Sequence, residues 1–309
     1  MKKLFFLIQL FLFIGFNFFL LIAAYQWAES PSTINYPDRE KDPLFWFKED
    51  FDPTLSRLNS INKVLNYCDS LYAERSSLGQ IKFESTYPQI ISDVIRFRFY
   101  HGYSYYRADN NFLSMFISKL TMSGLNAIVI PDDILKYPYA ACSQQSIVFM
   151  EILRQKGFTT REVGFQGKTN GHFCFEVYYE GGWHFYDPDM EPDNDVLSAY
   201  NRPCIAVLAK HQDILLKAYH QYSPDLVMDI FPNYFYGPVN SFSAPRAIIF
   251  QKITKTLSYT IWIFFLLLFI MTRKKYLRLS NKSNVRTSRI RLPQLQPGTS
   301  PLYYPEYQA

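Results

Sequence analysis

The stretch 142–188 constrains the fold of this chain most strongly, because it encodes a helix followed closely by three short strands. Apolar residues recur at helical spacing over 143–156, with charged and amide side chains between them. This pattern predicts an amphipathic helix that begins at Cys142 and is capped by Gly157 in the left-handed conformation. The run 160–165 then predicts a first strand.

A hairpin is predicted directly after this strand and a turn at 167–171. The run 172–179 alternates with period two, so its odd-numbered and even-numbered side chains face opposite sides of a strand. Glu180, Gly181 and Gly182 indicate a tight turn, and 183–187 is the return strand, which Pro188 ends. On one face we expect Phe173, Phe175 and Val177, and on the other His172, Cys174 and Glu176.

Three chemically useful side chains lie at the ends of these elements: Cys142, His172 and Asp187. A thiol is nucleophilic as its thiolate, which a helix N-terminus stabilises through its unpaired N–H groups and its dipole. An imidazole on a neighbouring strand can take and return the proton, and a carboxylate can fix its tautomer. In a hairpin the end of the return strand lies beside the start of the outgoing strand, so Asp187 is expected to return to His172.

These residues resemble the transglutaminase-like superfamily. The stretch 142–158, with Arg161 and Val163, is similar to the family's nucleophile helix and the strand that follows it. Residues 171–177 and 182–188 are similar to its histidine strand and its Trp-x-x-x-Asp-Pro strand. The resemblance implies an α+β fold with a papain-like core, in which a nucleophile helix packs on an antiparallel sheet. A departure is Ala140-Ala141 before the cysteine, where a glycine is common in the family.

From the residues and the resemblance together we expect a Cys142–His172–Asp187 triad that catalyses acyl transfer or hydrolysis at an amide bond. The enzyme would be a cysteine peptidase or amidase, or a cross-linking acyltransferase, with the backbone N–H of Cys142 in its oxyanion hole. No cofactor or metal is expected. The expected substrate is a protein or a peptide-containing polymer of the cell envelope.

Several alternatives stay open at this point. His184 competes with His172 for the role of base, and Asp189 competes with Asp187 for the role of orienting group. Cys174 shares a strand face with His172, so a Cys–His metal site is conceivable. A different class of function is also open: a catalytically inactive domain of the same fold that serves as a binding or assembly module in the cell envelope.

The charge distribution argues against a nucleic-acid partner. The chain has 32 Lys and Arg residues, 27 Asp and Glu residues and a formal net charge of +5. Ten of the basic residues but only one acidic residue, Glu306, lie before residue 4 or after residue 272. The region between is therefore mildly acidic, with no basic stripe that could bind phosphates. The oligomeric state is not predictable from this sequence.

The run 4–24 is uncharged and dominated by Phe, Leu and Ile. As a helix it would extend about 31 Å, which is long enough to cross a bilayer. A cleaved signal peptide is the alternative, but its apolar core usually has only about 7–15 residues. We therefore expect an uncleaved anchor, with the bilayer lipid as a partner.

A second uncharged, apolar run covers 256–272 and is followed by Arg273, Lys274 and Lys275. A buried core helix is the alternative, but a helix that is apolar on every side needs apolar surroundings throughout. The positive-inside rule places this basic flank, and Lys2 and Lys3, in the cytoplasm. We expect a two-span protein of the inner or plasma membrane with both termini cytoplasmic and the main domain extracytoplasmic.

The remaining segments complete the predicted organisation. Apolar periodicity predicts helices near 53–71, 90–95 and 112–120. The aromatic residues of the 101–106 segment could line a groove, but core packing is the favoured interpretation. Apart from Cys142, the cysteines Cys68, Cys174 and Cys204 allow at most one disulfide among themselves. The predicted regions are an N-terminal transmembrane anchor (1–25), a linker (26–52), an extracytoplasmic transglutaminase-like domain (53–222), a linker (223–255), a second transmembrane helix (256–272) and a basic, disordered cytoplasmic tail (273–309).

Overall fold

A computed structural model of the chain describes residues 2–28, 51–168 and 171–290. The chain divides into two compact units, Ile22–Tyr259 and the pair of segments Met1–Leu21 and Thr260–Ala309. The fold is mixed α+β: helices surround a single four-stranded antiparallel sheet in the described residues. Most of the predicted linker 26–52, part of the 167–171 turn and the tail beyond residue 290 lie outside the described residues.

The sheet belongs to the larger unit and has the strand order β3-β2-β1-β4. The predicted strand and hairpin are confirmed as β1, β2 and β3, with Glu180 and Gly181 forming a two-residue turn at positive φ. Phe175 of β2 pairs with Tyr186 of β3, which brings the end of β3 back towards the start of β2. The strands are β1 (Thr159–Gln166), β2 (Gly171–Tyr179), β3 (Gly182–Tyr186) and β4 (Tyr234–Tyr236).

One face of the sheet packs against the helix α6 (Cys142–Gln155), which begins at the predicted residue. Gly157, at φ +82°, follows the helix as predicted. Phe149 of α6 contacts the ring of Phe175 at 4.6 Å between centroids, within a core that also includes Val177. This core is shared with α2 (Ile61–Leu78), α3 (Phe83–Arg98) and α5 (Pro131–Ile134).

The opposite face of the sheet packs against a second group of short helices. Cys174 of β2 and Phe185 of β3 are buried there with Phe231, so the predicted alternation of β2 is confirmed. The helices of this layer are α7 (Asn194–Ala199), α8 (Ile205–Leu208), α9 (Gln212–Ala218) and α10 (Pro224–Ile230). The sheet thus lies between two helical layers with separate apolar cores.

The structure differs from the predicted linker 223–255. This segment contains α10, the edge strand β4 and the start of the long helix α11 (Pro245–Ile290). β4 pairs with β1, as Val163 opposite Tyr236 shows, so the segment completes the sheet. Three paired residues carry too little periodicity to identify a strand in sequence.

Arg98, at the end of α3, is buried and anchors the chain that leads to α6. Its guanidinium donates to the carbonyl oxygens of Tyr137 at 3.1 Å, Leu58 at 3.4 Å and Leu135. The charge also lies over the ring of Phe99, 4.8 Å from its centroid. One side chain therefore satisfies three buried carbonyl groups from two separate segments.

The smaller unit consists of α1 (Lys2–Ala28) as far as Leu21, and α11 from Thr260. Aromatic rings pair between the two helices, as Phe13 and Phe269 do at 5.7 Å between centroids. Gly15 allows a close approach, since a Cβ there would lie 2.6 Å from the ring of Phe265.

Two helical segments, Lys3–Ala28 and Pro245–Leu279, are long and apolar enough to cross a membrane. Few of their apolar side chains are buried within the protein, which distinguishes them from core helices of a soluble domain. The second segment is longer than the predicted span 256–272, because α11 begins at Pro245 and continues beyond residue 272. The described part of the predicted disordered tail 273–309 is helical as far as Ile290. These findings support the prediction that the chain is a membrane protein.

Candidate active site

Cys142 is the first residue of α6 and is only partly buried. The first turn of a helix presents N–H groups without intrahelical acceptors, which favours a negative charge. The side chain of Gln144 reaches back and accepts the N–H of Ala141 at 3.3 Å, which fixes the first turn of α6. The predicted nucleophile therefore has a defined position and access to solvent.

His172 is the second residue of β2, and its Nε2 lies 2.8 Å from Oδ2 of Asp187, the residue after β3. The same Asp187 oxygen accepts the hydroxyl of Tyr219 at 2.8 Å. The other oxygen, Oδ1, accepts the backbone N–H groups of Asp189 and Met190, each at 3.1 Å. Four donors thus surround one buried carboxylate and hold it against the imidazole.

The electrostatics of this pair follow from burial and mutual attraction. Burial opposes the charge on Asp187, but His172, the Met190 N–H and the Tyr219 hydroxyl outweigh it and lower the pKa of Asp187. Burial likewise opposes a charge on His172, but Asp187 reverses the effect and raises the pKa of His172 well above its usual value. The pair is therefore stabilised as imidazolium and carboxylate.

The thiol of Cys142 reaches the same imidazole. Its Sγ, a ring nitrogen of His172 and a carboxylate oxygen of Asp189 all lie within 4.8 Å of one another. Since Nε2 of His172 is bonded to Asp187, Nδ1 is the nitrogen that remains for exchange of a proton with the thiol. Cys142, His172 and Asp187, which sequence analysis predicted together, are brought together by the structure.

His184 does not belong to this cluster. It lies within the hairpin with Nδ1 3.0 Å from the carbonyl oxygen of Arg202 and Nε2 3.1 Å from that of Tyr179. Its ring stacks on Tyr179, with 3.7 Å between centroids. Both nitrogens are thus engaged with the backbone, and the geometry leaves His172 as the base.

Asp189 lies beside the cluster but does not orient His172. Its Oδ1 accepts Gln145 Nε2 at 2.9 Å and lies 2.9 Å from Nδ1 of His101. Asp189 therefore links α6 to the segment that follows α3, while Asp187 is the carboxylate that bonds to the imidazole of His172.

Sequence analysis missed several neighbours of the thiol. Tyr103 is half exposed and lies next to Cys142 and Ser143; burial and the nearby Cys142 raise the pKa of Tyr103. Tyr105 stacks on Tyr103 at 5.7 Å. The 101–106 segment was assigned to core packing, which holds for the buried Tyr106 but not for these two rings. Tyr103 and Tyr105 are exposed and alternate with the buried Ser104 and Tyr106. This period of two is the sequence signal that could have placed the two rings at the surface.

Cys174 offers a second thiol close to His172. It is fully buried, and burial raises the pKa of its thiol well above the usual value. All four cysteines of the chain are free, so no disulfide joins Cys68, Cys174 and Cys204.

Two overlapping sets of side chains could hold a metal ion, and both include His172. One set is Cys142, His172 and Asp189, and the other is His172, Cys174 and Asp187. Thiolate, imidazole and carboxylate are all ligands of Zn²⁺. Because a bound metal would occupy His172, a metal site and a proton-shuttling triad exclude each other.

No match to this chain is found among protein families, curated proteins or solved structures. A partly exposed thiol at a helix N-terminus, beside an imidazole held by a buried carboxylate, has the parts required for nucleophilic catalysis.

Proposed function

We propose that this protein has a transglutaminase-like core and catalyses acyl transfer or hydrolysis at an amide bond. The observation that carries the proposal is the His172–Asp187 hydrogen bond of 2.8 Å, with the thiol of Cys142 within 4.8 Å of the imidazole. The helix that begins at the nucleophile and the antiparallel sheet behind it support the proposed core.

In the proposed resting state the proton of the Cys142 thiol is already on Nδ1 of His172, so the first half of the reaction starts from a thiolate beside an imidazolium. The sulfur attacks the amide carbonyl carbon, and a C–S bond forms while the carbonyl π electrons move to oxygen. The N–H groups at the start of α6 stabilise this oxyanion. The oxyanion then collapses, the C–N bond breaks, and the His172 imidazolium protonates the departing amine. The product is a thioester on Cys142.

In the second half, water or an amine attacks the thioester and gives its proton to His172. The C–S bond breaks, the Cys142 thiolate and the His172 imidazolium are restored, and a carboxylic acid or a new amide leaves. Asp187 keeps its negative charge throughout and stabilises the imidazolium in both halves. The four donors around its carboxylate hold this charge in one orientation.

The two apolar helices and the basic residues that flank them support a membrane-anchored enzyme with cytoplasmic termini. The site would then act outside the cytoplasm on protein or on a peptide-containing polymer of the cell envelope. No basic surface suited to nucleic acid was predicted from the charge distribution.

Alkylation of the full chain in detergent tests the proposal. Iodoacetamide should modify Cys142 at least tenfold faster than a small thiol at pH 6, because His172 stabilises the thiolate. His172→Ala should remove this advantage, whereas His211→Ala, an exposed histidine outside the cluster, should not. Mass spectrometry identifies the modified cysteine.

The same reaction run with a chelator distinguishes the metal alternative. If a metal occupies His172, the chelator will increase the alkylation rate; the triad predicts no change. A Cys142 that reacts no faster than a small thiol under both conditions would contradict the proposed chemistry. It would favour the second function predicted from sequence, an inactive domain that binds or assembles envelope components.

A further inference from the structure

The helix α4 (Ala108–Thr121) and the first turns of α11 pack together with their polar residues inside and their apolar residues outside. On α4 the buried side chains are polar ones: Asn111, Ser114 and Ser118. On α11, within the same compact unit, the buried ones are Gln251, Thr254 and Ser258. A helix of a water-soluble domain shows the opposite pattern, with the apolar stripe buried.

Hydrogen bonds connect these buried polar residues directly. Asn111 Nδ2 donates to Thr254 Oγ1 at 3.2 Å, and Ser258 Oγ donates to Asn111 Oδ1 at 3.2 Å. The same Ser258 hydroxyl accepts the N–H of Leu113 at 3.0 Å. Small and polar side chains that bond across a helix pair are typical of packing within a membrane, where apolar burial drives no association.

The outward faces of the two helices are apolar. On α4, Phe116 is 51% exposed, Leu120 is 74% exposed, and Met122 directly after the helix is 87% exposed. On α11, exposed apolar residues recur every four positions at Ile249, Ile253 and Leu257. Exposed apolar faces on two neighbouring helices are unusual for a soluble monomer and indicate that these faces bind something.

We propose that this surface, formed by Phe116, Leu120 and Met122 with Ile249, Ile253 and Leu257, is immersed in the headgroup–acyl boundary of the bilayer. Lipid is the expected occupant, because the α11 stripe lies within the helical segment Pro245–Leu279, which is apolar enough to cross a membrane. A surface on the first turns of such a segment meets lipid without any further partner.

The charges beside the surface fit this depth. Lys119 lies between Phe116 and Leu120 in sequence, Lys252 precedes Ile253, and both are exposed. Lysine side chains at this depth extend their amines to the phosphates while their methylene stems stay among the lipids. An entirely apolar surface would instead favour deeper immersion.

The proposed surface is tied to the nucleophile helix through one amide. Gln144 Oε1 accepts the N–H of Ser104 at 2.9 Å, and Gln144 Nε2 donates to the carbonyl oxygens of Ser104 at 2.9 Å and Ile128 at 2.7 Å. Ser104 precedes α4 and Ile128 follows it. The proposal concerns the position of α4 and holds whether or not Cys142 reacts with a substrate.

Lipid-borne quenching tests the proposal on the full chain. Single cysteines at Phe116→Cys, Leu120→Cys and Ile253→Cys are labelled with an environment-sensitive fluorophore in a background that carries Cys142→Ser and Cys204→Ser, because Cys68 and Cys174 are buried. In vesicles that contain phosphatidylcholine with a nitroxide near the headgroup, we expect at least a twofold loss of emission at all three positions.

Leu78→Cys is the matched control, because Leu78 is 84% exposed at the end of α2, away from the proposed surface in sequence. Its emission should not change. Equal emission with and without the nitroxide at Phe116→Cys and Leu120→Cys would overturn the proposal. A blue-shifted but unquenched emission at these positions would also overturn it, in favour of a protein partner or a second copy of the chain.

A second measurement uses the unmodified protein and does not depend on how the variants fold. Vesicles that carry a photoactivatable diazirine on the lipid acyl chain are irradiated with the wild-type chain, and labelled peptides are identified by mass spectrometry. The proposal expects adducts on the peptide that contains Phe116 and Leu120 and none on the peptide that contains Leu78. Absence of adducts on the α4 peptide, with adducts present on α11, would overturn it.

Discussion

At the scale of single residues, Asp187 determines what His172 can do. The carboxylate accepts hydrogen bonds from the imidazole, from the Tyr219 hydroxyl and from the N–H groups of Asp189 and Met190. Each bond to a buried charge contributes more than a bond between neutral groups, and together they prevent rotation of the carboxyl group. The imidazole is therefore held with Nδ1 directed away from Asp187.

The raised pKa of His172 and the lowered pKa of Asp187 predict how stability depends on pH. The folded chain binds the His172 proton more tightly than the unfolded chain, so this contribution is complete below about pH 6.5 and declines as the pH rises through the raised pKa. The folded chain binds the Asp187 proton more weakly than the unfolded chain. The contribution of this carboxylate to stability is therefore complete above about pH 3.9 and is lost as the pH falls through the lowered pKa.

Asp187→Asn should therefore destabilise the protein most between about pH 5 and 6.5, by about 2 kcal/mol, and less as the pH rises. Urea denaturation in detergent at several pH values measures the difference from wild type. Asp213→Asn, at an exposed aspartate, is the control and should show no such trend. A difference that grows between pH 6.5 and 9 would contradict the assigned charges of the pair.

At the scale of elements, Arg98 connects α3 with the chain that delivers Cys142 to the sheet. Arg98→Met keeps most of the side-chain volume but leaves the carbonyls of Leu58, Leu135 and Tyr137 without their donor. We expect a loss of about 3 kcal/mol in the free energy of unfolding, since buried acceptors are costly to leave unpaired. Chemical denaturation followed by circular dichroism measures it.

Arg75→Met is the matched control for this substitution. Arg75 pairs with Asp93 at 3.3 Å on the surface, where an ion pair contributes about 0.5 kcal/mol or less. Similar losses for the two arginine variants would show that the buried hydrogen bonds of Arg98 do not stabilise the fold.

Elements with strong local patterns were predictable from the sequence, and elements without them were not. The α6 helix and the β2–β3 hairpin have clear periods of 3.6 and 2. Because these elements were predictable, so was the proximity of Cys142, His172 and Asp187. Tyr219 and His101 join the site from distant segments, and no local pattern predicts such contacts. The helix near 112–120 was predicted from its apolar stripe, but the structure turns that stripe outward.

At the scale of the whole molecule, two helical segments are long and apolar enough to span a membrane. Basic residues cluster before the first segment and after the second, at Lys2 and Lys3 and from Arg273 onwards. The unit Ile22–Tyr259, which contains the sheet and the candidate site, lies between these clusters in sequence. The positive-inside rule predicts that this unit is outside the cytoplasm.

Cysteine labelling tests this topology. In intact cells that express variants lacking Cys142 and Cys204, a membrane-impermeant maleimide should label Lys210→Cys, an exposed position in the sheet-containing unit. The same reagent should label Lys275→Cys only after the membrane is permeabilised. Labelling of Lys275→Cys but not Lys210→Cys in intact cells would show the inverse orientation.

The four hydrogen bonds of the Gln144 side chain have a mechanical consequence. One rigid amide joins the chain before α4, the chain after α4 and the turn that carries the thiol. A movement of α4 would therefore move the turn that carries Cys142, because the Gln144 hydrogen bonds connect the two. A change in lipid packing against α4 would in this way displace Cys142 slightly relative to His172.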